Sequence, residues 1–347
     1  MSDRFHALVR GERRGPLASL ARLGLWGASW PYRVGVGVRN GLFDRGWRTI
    51  HRAAVPVVSV GNLTLGGTGK TPCVEYVARF YRDLGVQVAI LSRGYGGDAG
   101  RNDEAMVLEE NLPDVPHLQD RDRVALATTA VEELEAELLV LDDGFQHRRL
   151  HRDLDIVLID ATWPPQCDWL FPRGTLREPA ASLRRAGVIV LTRCDQVDAN
   201  RVDELRRWLA RRFPKVPVAT TEHAPAELIG CDGVTAPVEE LRGESVAAFC
   251  GIGNPPAFRR TLENLGANVT AFRTFPDHHA YTRADVDDLR AWAKSLDVSA
   301  VATTQKDWVK LRTPELGGRP LWAVRIGLTF HDGEDDLMDA LRATAPT

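Results

Sequence analysis

From Val55 onward, short apolar runs recur along the chain, at Val55–Val60, Val86–Leu91, Leu138–Leu141, Ile156–Ile159 and Val188–Leu191. Between most of them the apolar positions fall at helical spacing, as in Val74, Val77, Ala78, Tyr81 and Leu84. Short buried strands alternating with helices predict a parallel sheet covered by helices on both faces. A second series of runs, Val246–Cys250, Val269–Phe272, Val298–Thr303 and Leu321–Val324, predicts further strands and a second, smaller α/β domain. The stretch Thr220–Val238, with several Ala, Pro and Gly residues, reads as the boundary between them. The expected organisation is an N-terminal segment over residues 1–54, a first α/β domain over 55–222 and a second over 223–347.

The segment ahead of the first strand has a different pattern. Leu17, Leu20, Ala21, Leu23, Trp26 and Trp30 share one face of a helix, with Arg22 outside it. An amphipathic, basic, Trp-bearing helix of this kind suits a bilayer interface. A helix packed on its own domain gives the same periodicity, so both readings stand. The most apolar window, Leu17 to Val38, is broken by Arg22, Pro31 and Arg33 and does not read as a membrane span.

Composition adds little until charge is resolved along the chain. With 347 residues, 44% of them hydrophobic and 26% charged, the protein is an ordinary globular one with room for two domains. The net charge of −3 favours no nucleic-acid partner. Residues 1–52, however, hold ten arginines against Asp3, Glu12 and Asp44, a surplus of seven positive charges. A basic head on an acidic body points to an anionic surface near the N-terminus. Five scattered cysteines with no C-x-x-C pair suit reduced thiols better than disulfides or a zinc site. The opening residues lack the apolar core of a secretory signal.

The strongest chemical signal is the run from Val57 to Thr71, VVSVGNLTLGGTGKT. A buried strand enters a glycine-rich loop that closes in Gly-Lys-Thr at the start of a helix. Glycines let such a loop fold so that successive N–H groups face phosphate oxygens. Gly66, Gly67, Thr68 and Gly69 would form the cradle, Lys70 would reach the terminal phosphates and the Thr71 hydroxyl would hold Mg²⁺. Pro72 fits the first helical turn, where its missing N–H has no intrahelical partner. Thr64 stands where the general pattern has its first glycine. The fold class expected is therefore a P-loop NTPase sheet with a second α/β domain and an N-terminal amphipathic helix.

A second element, LLVLDDGFQH over residues 138–147, is an apolar strand ending in two carboxylates. Asp142 and Asp143 are what a P-loop protein needs to organise magnesium beside the phosphates, and adjacency points them to opposite sides. His147 alone carries no assignment.

With these two elements the sequence begins to resemble one family. VPVVSVGNLTLGGTGKTP, LSRGYGG (91–97), LDDGFQHRRLHRDLDIVLID (141–160), PRGTLREP (172–179), FPDHHAY (275–281) and TTQKDWVKL (303–311) resemble the tetraacyldisaccharide 4'-kinases of lipid A biosynthesis, in order. The resemblance implies transfer of phosphate from ATP to the 4' hydroxyl of an acylated glucosamine disaccharide 1-phosphate at the cytoplasmic face of the inner membrane, by a peripheral or monotopic enzyme. It also implies residue roles. Asp142, Asp143 and Glu178 would surround the metal with Thr71, Gln146 would lie near the nucleotide, and Arg93 would meet phosphate or substrate charge. Asp103, in an Asn-Asp-Glu-Ala segment matching the family's Gly-Asp-Glu-Pro, and His278, in its Asp-His motif, would be the base and its supporting histidine. Gln305 stands where the family's Thr-Glu-Lys-Asp segment has its acid.

Two other functions share some of these features. A P-loop GTPase or metal-delivery chaperone is echoed by Thr192-Arg193-Cys194-Asp195, which loosely matches a guanine-reading motif, but Leu141 occupies the position where the switch needs Asp. A non-catalytic, nucleotide-gated membrane adaptor would need only the basic head and the cradle, and would leave Asp103 and His278 without a task. The kinase reading uses all of them. Lys70 and metal neutralise phosphate charge in a cleft between the domains while a carboxylate takes the sugar proton.

Overall fold

The computed structural model describes residues 3–94 and 103–346. Its elements, in chain order, are α1 (Asp3–Val9), α2 (Pro16–Asp44), β1 (Val57–Asn62), α3 (Lys70–Asp83), β2 (Val88–Ser92), α4 (Asp103–Asn111), β3 (His117–Gln119) and α5 (Arg123–Leu134). There follow β4 (Leu138–Asp142), β5 (Leu154–Asp160), β6 (Val188–Thr192), α6 (Ala199–Arg212), β7 (Val218–Ile229), β8 (Thr235–Ala236), β9 (Ser245–Cys250) and α7 (Pro255–Asn264). The chain closes with β10 (Asn268–Thr274), α8 (Arg283–Lys294), β11 (Ala300–Thr304), α9 (Gln305–Leu311), β12 (Glu315–Leu316), β13 (Arg319–Asp332) and α10 (Glu334–Thr344).

The chain forms two compact units, neither of them continuous in sequence. The first runs to Gly94, resumes over Asp114–Glu222 and takes up the chain again from Leu328; the second holds His223–Gly327 and the segment ending at Pro113. Residues 103–113 and 328–346 thus group differently from a division of the chain into consecutive stretches.

In the first unit the strands lie in the order β7-β6-β5-β1-β4-β2-β3, with every neighbouring pair parallel. All six residues of β1 and all five of β6 are buried, as expected of strands covered on both faces. One core cluster gathers Phe145, Val157, Ile189, Leu205 and Leu209; another gathers Val57, Leu91, Ala127, Leu139 and Leu150. Helix α3 ends at Gly85, whose φ of +82° only glycine takes at no steric cost, and Val86 N–H then caps the Tyr81 carbonyl at 3.1 Å. Helix α10 returns to this unit: Leu337 and Leu341 are buried, and the Tyr81 hydroxyl donates to the Leu341 carbonyl at 2.8 Å.

In the second unit β10-β9-β11-β13 are parallel neighbours, with β12 antiparallel on β13 and β8 on β7. Val246, Ala248, Phe258, Leu262 and Ala302 form one core, and Val107, Phe249, Leu289, Trp308 and Leu321 another. Helix α4 joins the second core through Val107, although it precedes the rest of the unit by more than a hundred residues.

Most strands expected from apolar runs are present within a residue or two. The exception is the stretch read as a boundary, where β7 runs unbroken from Val218 to Ile229. Ala and Pro commonly punctuate loops, but here they lie in the partly buried middle of a strand whose two ends are buried. Helix α2 spans 29 residues with only Phe43 buried. Leu17 is 82% exposed and Trp30 52%, and Leu20, Leu23, Trp26, Val34 and Val38 are exposed with them. Among the described residues no helix is long and apolar enough to cross a membrane.

Candidate active site

Strand β1 delivers the chain into the glycine-rich loop against residues 144–145. A Cβ on Gly61 would lie 2.8 Å from the Phe145 backbone nitrogen, so only glycine permits this approach. Thr64, the departure from the general motif, sits in an antiparallel bridge to Leu176, flanked by Leu65 N–H to the Thr175 carbonyl and Arg177 N–H to the Leu63 carbonyl, both 2.7 Å. Extended backbone here needs no glycine. The left-handed turns come later, at Gly66 (φ +116°) and at Gly69 (φ +78°), which caps α3.

The back of the loop is braced from β6. Thr192 Oγ1 donates to the Thr68 carbonyl at 3.0 Å, and Arg193 Nη2 donates to the Gly67 carbonyl at 2.8 Å while its other nitrogen pairs with Asp160. Asn62 Nδ2 donates to Thr68 Oγ1 at 3.0 Å. Lys70 and Thr71 open α3, where first-turn N–H groups have no intrahelical partners and the helix end is positive. An anion of phosphate geometry fits such a terminus.

Acids and cations meet beside it. Lys70 Nζ lies 3.6 Å from Asp143 Oδ1, and Arg177 Nη1 lies 2.9 and 2.7 Å from the two Asp143 oxygens. Burial pushes the Asp143 carboxyl up, but Lys70 and Arg177 outweigh it and hold the group below the usual carboxylate range. Arg177 Nη1 also donates to Gln146 Oε1 at 3.3 Å, and Gln146 Nε2 donates to the Asn62 carbonyl at 2.9 Å, which ties this residue to the end of β1. Asp142 ends β4 opposite Val60, and the left-handed backbone of Asp143 (φ +53°) turns the chain directly after it. Burial, with the Asp142 charge adding to it, pushes the Cys73 thiol up to about 12.

The residues fit magnesium. Thr71, Asp142 and Asp143 offer hard oxygen donors at the start of α3 and the end of β4, the donor chemistry that suits this ion. Magnesium is commonly held by one or two protein oxygens with phosphate and water completing the shell.

Glu178, expected near the metal, lies among cations. It is fully buried, its Oε2 accepts from Asn40 Nδ2 and Arg185 Nη2, each at 2.9 Å, and Arg39 stands 3.9 Å from its other oxygen. Arg39 also donates to the Gln146 carbonyl, and the Tyr32 hydroxyl to the Arg177 carbonyl at 2.9 Å. Glu178 is thus matched by cations through Oε2, while Oε1 is buried and accepts no hydrogen bond from the described residues.

In the second unit, Asp103 opens α4 and meets His278, 175 positions later, with Nδ1 to Oδ2 at 3.0 Å. His278 takes a left-handed backbone (φ +58°) fixed by its N–H to the Gly251 carbonyl at 3.1 Å. Lys310 Nζ reaches the same Asp103 oxygen at 2.7 Å. Burial raises the Asp103 carboxyl, yet the hydrogen bonds and charges of Lys310 and His278 prevail and hold it below the usual range. Gln305 exchanges hydrogen bonds with Asn111, so the neutral side chain has a neutral partner.

Arg93 is exposed at the end of β2, and its charge acts on buried Arg123, whose guanidinium is held below its ordinary range first by burial. Residues 95–97 of its motif, and Asn102, lie outside the described residues. His147 is kept neutral, its imidazole pushed down to about 4 by burial and by Arg123, Arg149 and Arg152. Sequence reasoning missed Arg177, Arg193, Arg39, Asn40 and Lys310. The signal was present for Arg177 and Lys310, which lie inside quoted motifs, whereas Arg193 was considered only as a guanine reader.

The comparisons agree with this geometry. A family profile described as tetraacyldisaccharide-1-P 4'-kinase matches residues 21–345. Similar relatives include "Tetraacyldisaccharide 4'-kinase" of Anaeromyxobacter dehalogenans (strain 2CP-C), 42% identical over 95% of this chain and 92% of that protein. The protein of that name from Syntrophus aciditrophicus (strain SB) is 40% identical over 82% and 83%. Among solved structures, LpxK from Aquifex aeolicus in complex with ATP superposes with a TM-score of 0.76 at 31% identity, covering 94% of this chain and 99% of that one. With a profile match over most of its length, relatives above 40% identity and a shared fold, the chain belongs to the tetraacyldisaccharide 4'-kinase family.

Proposed function

We propose that the protein transfers the terminal phosphoryl group of ATP to the 4' hydroxyl of an acylated glucosamine disaccharide 1-phosphate. The observation that carries this reading is the Asp103–His278 contact, a carboxylate and an imidazole brought together from distant positions at 3.0 Å. A nucleotide-gated adaptor has no use for such a pair, and a phosphoryl transferase to a sugar hydroxyl does.

Phosphoryl transfer asks mainly for positioning and charge neutralisation. The 61–71 loop binds the phosphates through its N–H groups, and Lys70 meets charge on the terminal ones. Thr71, Asp142 and Asp143 would hold Mg²⁺, which supplies charge neutralisation on the bridging and terminal oxygens when bound. Arg177 fixes the Asp143 carboxylate, and Thr192 and Arg193 fix the loop carbonyls. Asp103 accepts the hydroxyl proton, and His278 orients it. A carboxylate with a low pKa is adequate because in a loose transition state the proton departs late. Arg93 remains a candidate for a substrate phosphate.

The exposed face of α2, Leu17 through Val38, supports a place for the enzyme on the bilayer where the acyl chains reside, with the arginines of residues 1–52 meeting anionic headgroups at the cytoplasmic side of the inner membrane. The test is direct. Purified protein is incubated with Mg-ATP and an acylated disaccharide 1-phosphate, and the lipid is weighed by mass spectrometry. Gain of one phosphoryl group is expected; nucleotide hydrolysis with unchanged lipid would refute the proposal.

A further inference from the structure

Beyond the paired base and histidine, we infer that Lys310 is a positioning residue for phosphoryl transfer, holding the Asp103 carboxylate and the His278-bearing segment in one fixed arrangement. The inference rests on the proposed role of Asp103. Lys310 Nζ donates in two directions, to Asp103 Oδ2 at 2.7 Å and to the His279 carbonyl at 3.1 Å. One ammonium therefore grips both the acid and the backbone beside the imidazole. The lysine and aspartate side chains are only 11% and 12% exposed, so solvent screens their attraction little. His278 and Lys310 share the same oxygen, which leaves Oδ1 as the atom to receive a hydroxyl proton.

The lysine is itself held. Its helix α9 is capped by Thr304, whose Oγ1 accepts from Asp307 N–H at 3.3 Å. The Asp307 carboxylate accepts from Gly251 N–H and the Tyr281 hydroxyl, both at 3.0 Å. Trp308 and Val309 are buried in the core that α4 joins. Gly251 also receives the His278 N–H, so one set of contacts places base, histidine and lysine together.

A purely structural ion pair between α4 and α9 would look similar, and the molecule supplies its own control. Lys306 pairs with Glu104 at 2.9 Å between the same two helices, with both side chains about one-third exposed. Among the described residues, the charged or titratable groups on the segments around Asp103 include Glu104 from its own helix, Lys306, Asp307 and Lys310 from α9, and Asp277, His278, His279 and Tyr281 from the loop after β10; His279 is engaged by Asp285 at 3.2 Å and Tyr281 by Asp307 at 3.0 Å. Of these, His278 and Lys310 touch Asp103.

The experiment compares kcat/KM against pH for the wild type, Lys310→Gln, Lys310→Arg and Lys306→Gln. A cation within contact of a carboxylate lowers its pKa by about 1–3 units, so removing it moves the acidic limb up by about that much. Lys310→Gln should show this shift with a fall in kcat and an unchanged KM for ATP. Lys310→Arg should restore the limb, and Lys306→Gln should leave it in place. An unmoved limb in Lys310→Gln, or equal shifts in the two glutamine variants, overturns the inference. If Lys310→Gln does not fold, Lys310→Met serves. Carboxyl-carbon NMR titration of the resonance that Asp103→Asn removes reads the same link without turnover. An inactive wild type with a shifted resonance would therefore refute the kinase proposal alone, and an active wild type with an unshifted resonance would refute this one.

Discussion

A fully buried carboxylate between guanidinium groups behaves as a structural ion pair, and Glu178 is the residue where that distinction matters most. Removing one member of a buried pair leaves the other charge uncompensated, at a cost of about 3–5 kcal/mol. Glu178→Ala should therefore lower the urea midpoint strongly, while a variant losing only a metal ligand would unfold like the wild type. Lys70→Ala should do the reverse: Arg177 still partners Asp143, so stability holds, while turnover falls by about 100-fold or more. Asp103→Ala and His278→Ala should each reduce kcat by about 100-fold or more, and together by little more than either. Fully multiplicative losses in that cycle would show two independent roles. The residues proposed to meet phosphate, such as Gly69 and Lys70, were legible because that chemistry demands a fixed type at a fixed offset, whereas Asp103 was legible only through the family resemblance. Those that hold them were not. Arg193 and Lys310 act through carbonyls and carboxylates that only the fold brings near, and for Glu178 a sequence shows an acid without showing Arg185 and Asn40 around it.

At the scale of elements, α2 presents two faces with different duties. One exposes Leu20, Trp26 and Trp30; the other carries Tyr32, Arg39 and Asn40 to the turn after β4 and to Glu178. Deleting the helix would confound the two. A better variant is Leu20→Asp with Trp30→Asp, which alters exposed positions only. Stability should change by less than about 0.5 kcal/mol, while sedimentation with anionic vesicles falls; unchanged sedimentation would defeat the interfacial reading. The periodicity of α2 was readable because amphipathicity is local, whereas its partner was not, since an apolar stripe looks the same facing lipid or core. Strands such as β1, β4 and β6 were legible for the opposite reason, being buried along almost their whole length and largely apolar. Strand β7 was hidden because its middle, Glu222 to Glu227, is only partly buried and mixes Ala and Pro with charge.

For the molecule as a whole, titration behaviour follows from which protonation states folding selects. His147 is neutral when folded down to about pH 4, against an ordinary value of 6.5. Between those values the unfolded chain binds the extra proton, so stability falls as pH drops from 6.5 to about 4. Asp103 and Asp143, both held low, extend the loss below the ordinary carboxylate value of 3.8 as pH falls towards their folded values. Urea midpoints taken across this range should decline from pH 6.5, and His147→Gln should flatten the upper part; a wild-type profile level down to pH 4 would contradict the imidazole assignment. The discontinuous plan of the two units has a consequence for biosynthesis. Tyr81 in α3 waits for the Leu341 carbonyl and Tyr76 for Glu334, so the first unit, although most of it is made before the second, cannot finish packing until α10 is made. The second unit, complete by Gly327, is free to fold earlier. During synthesis the second unit would thus be able to pack while the first still lacks α10, so the stretch made earlier is the later of the two to mature.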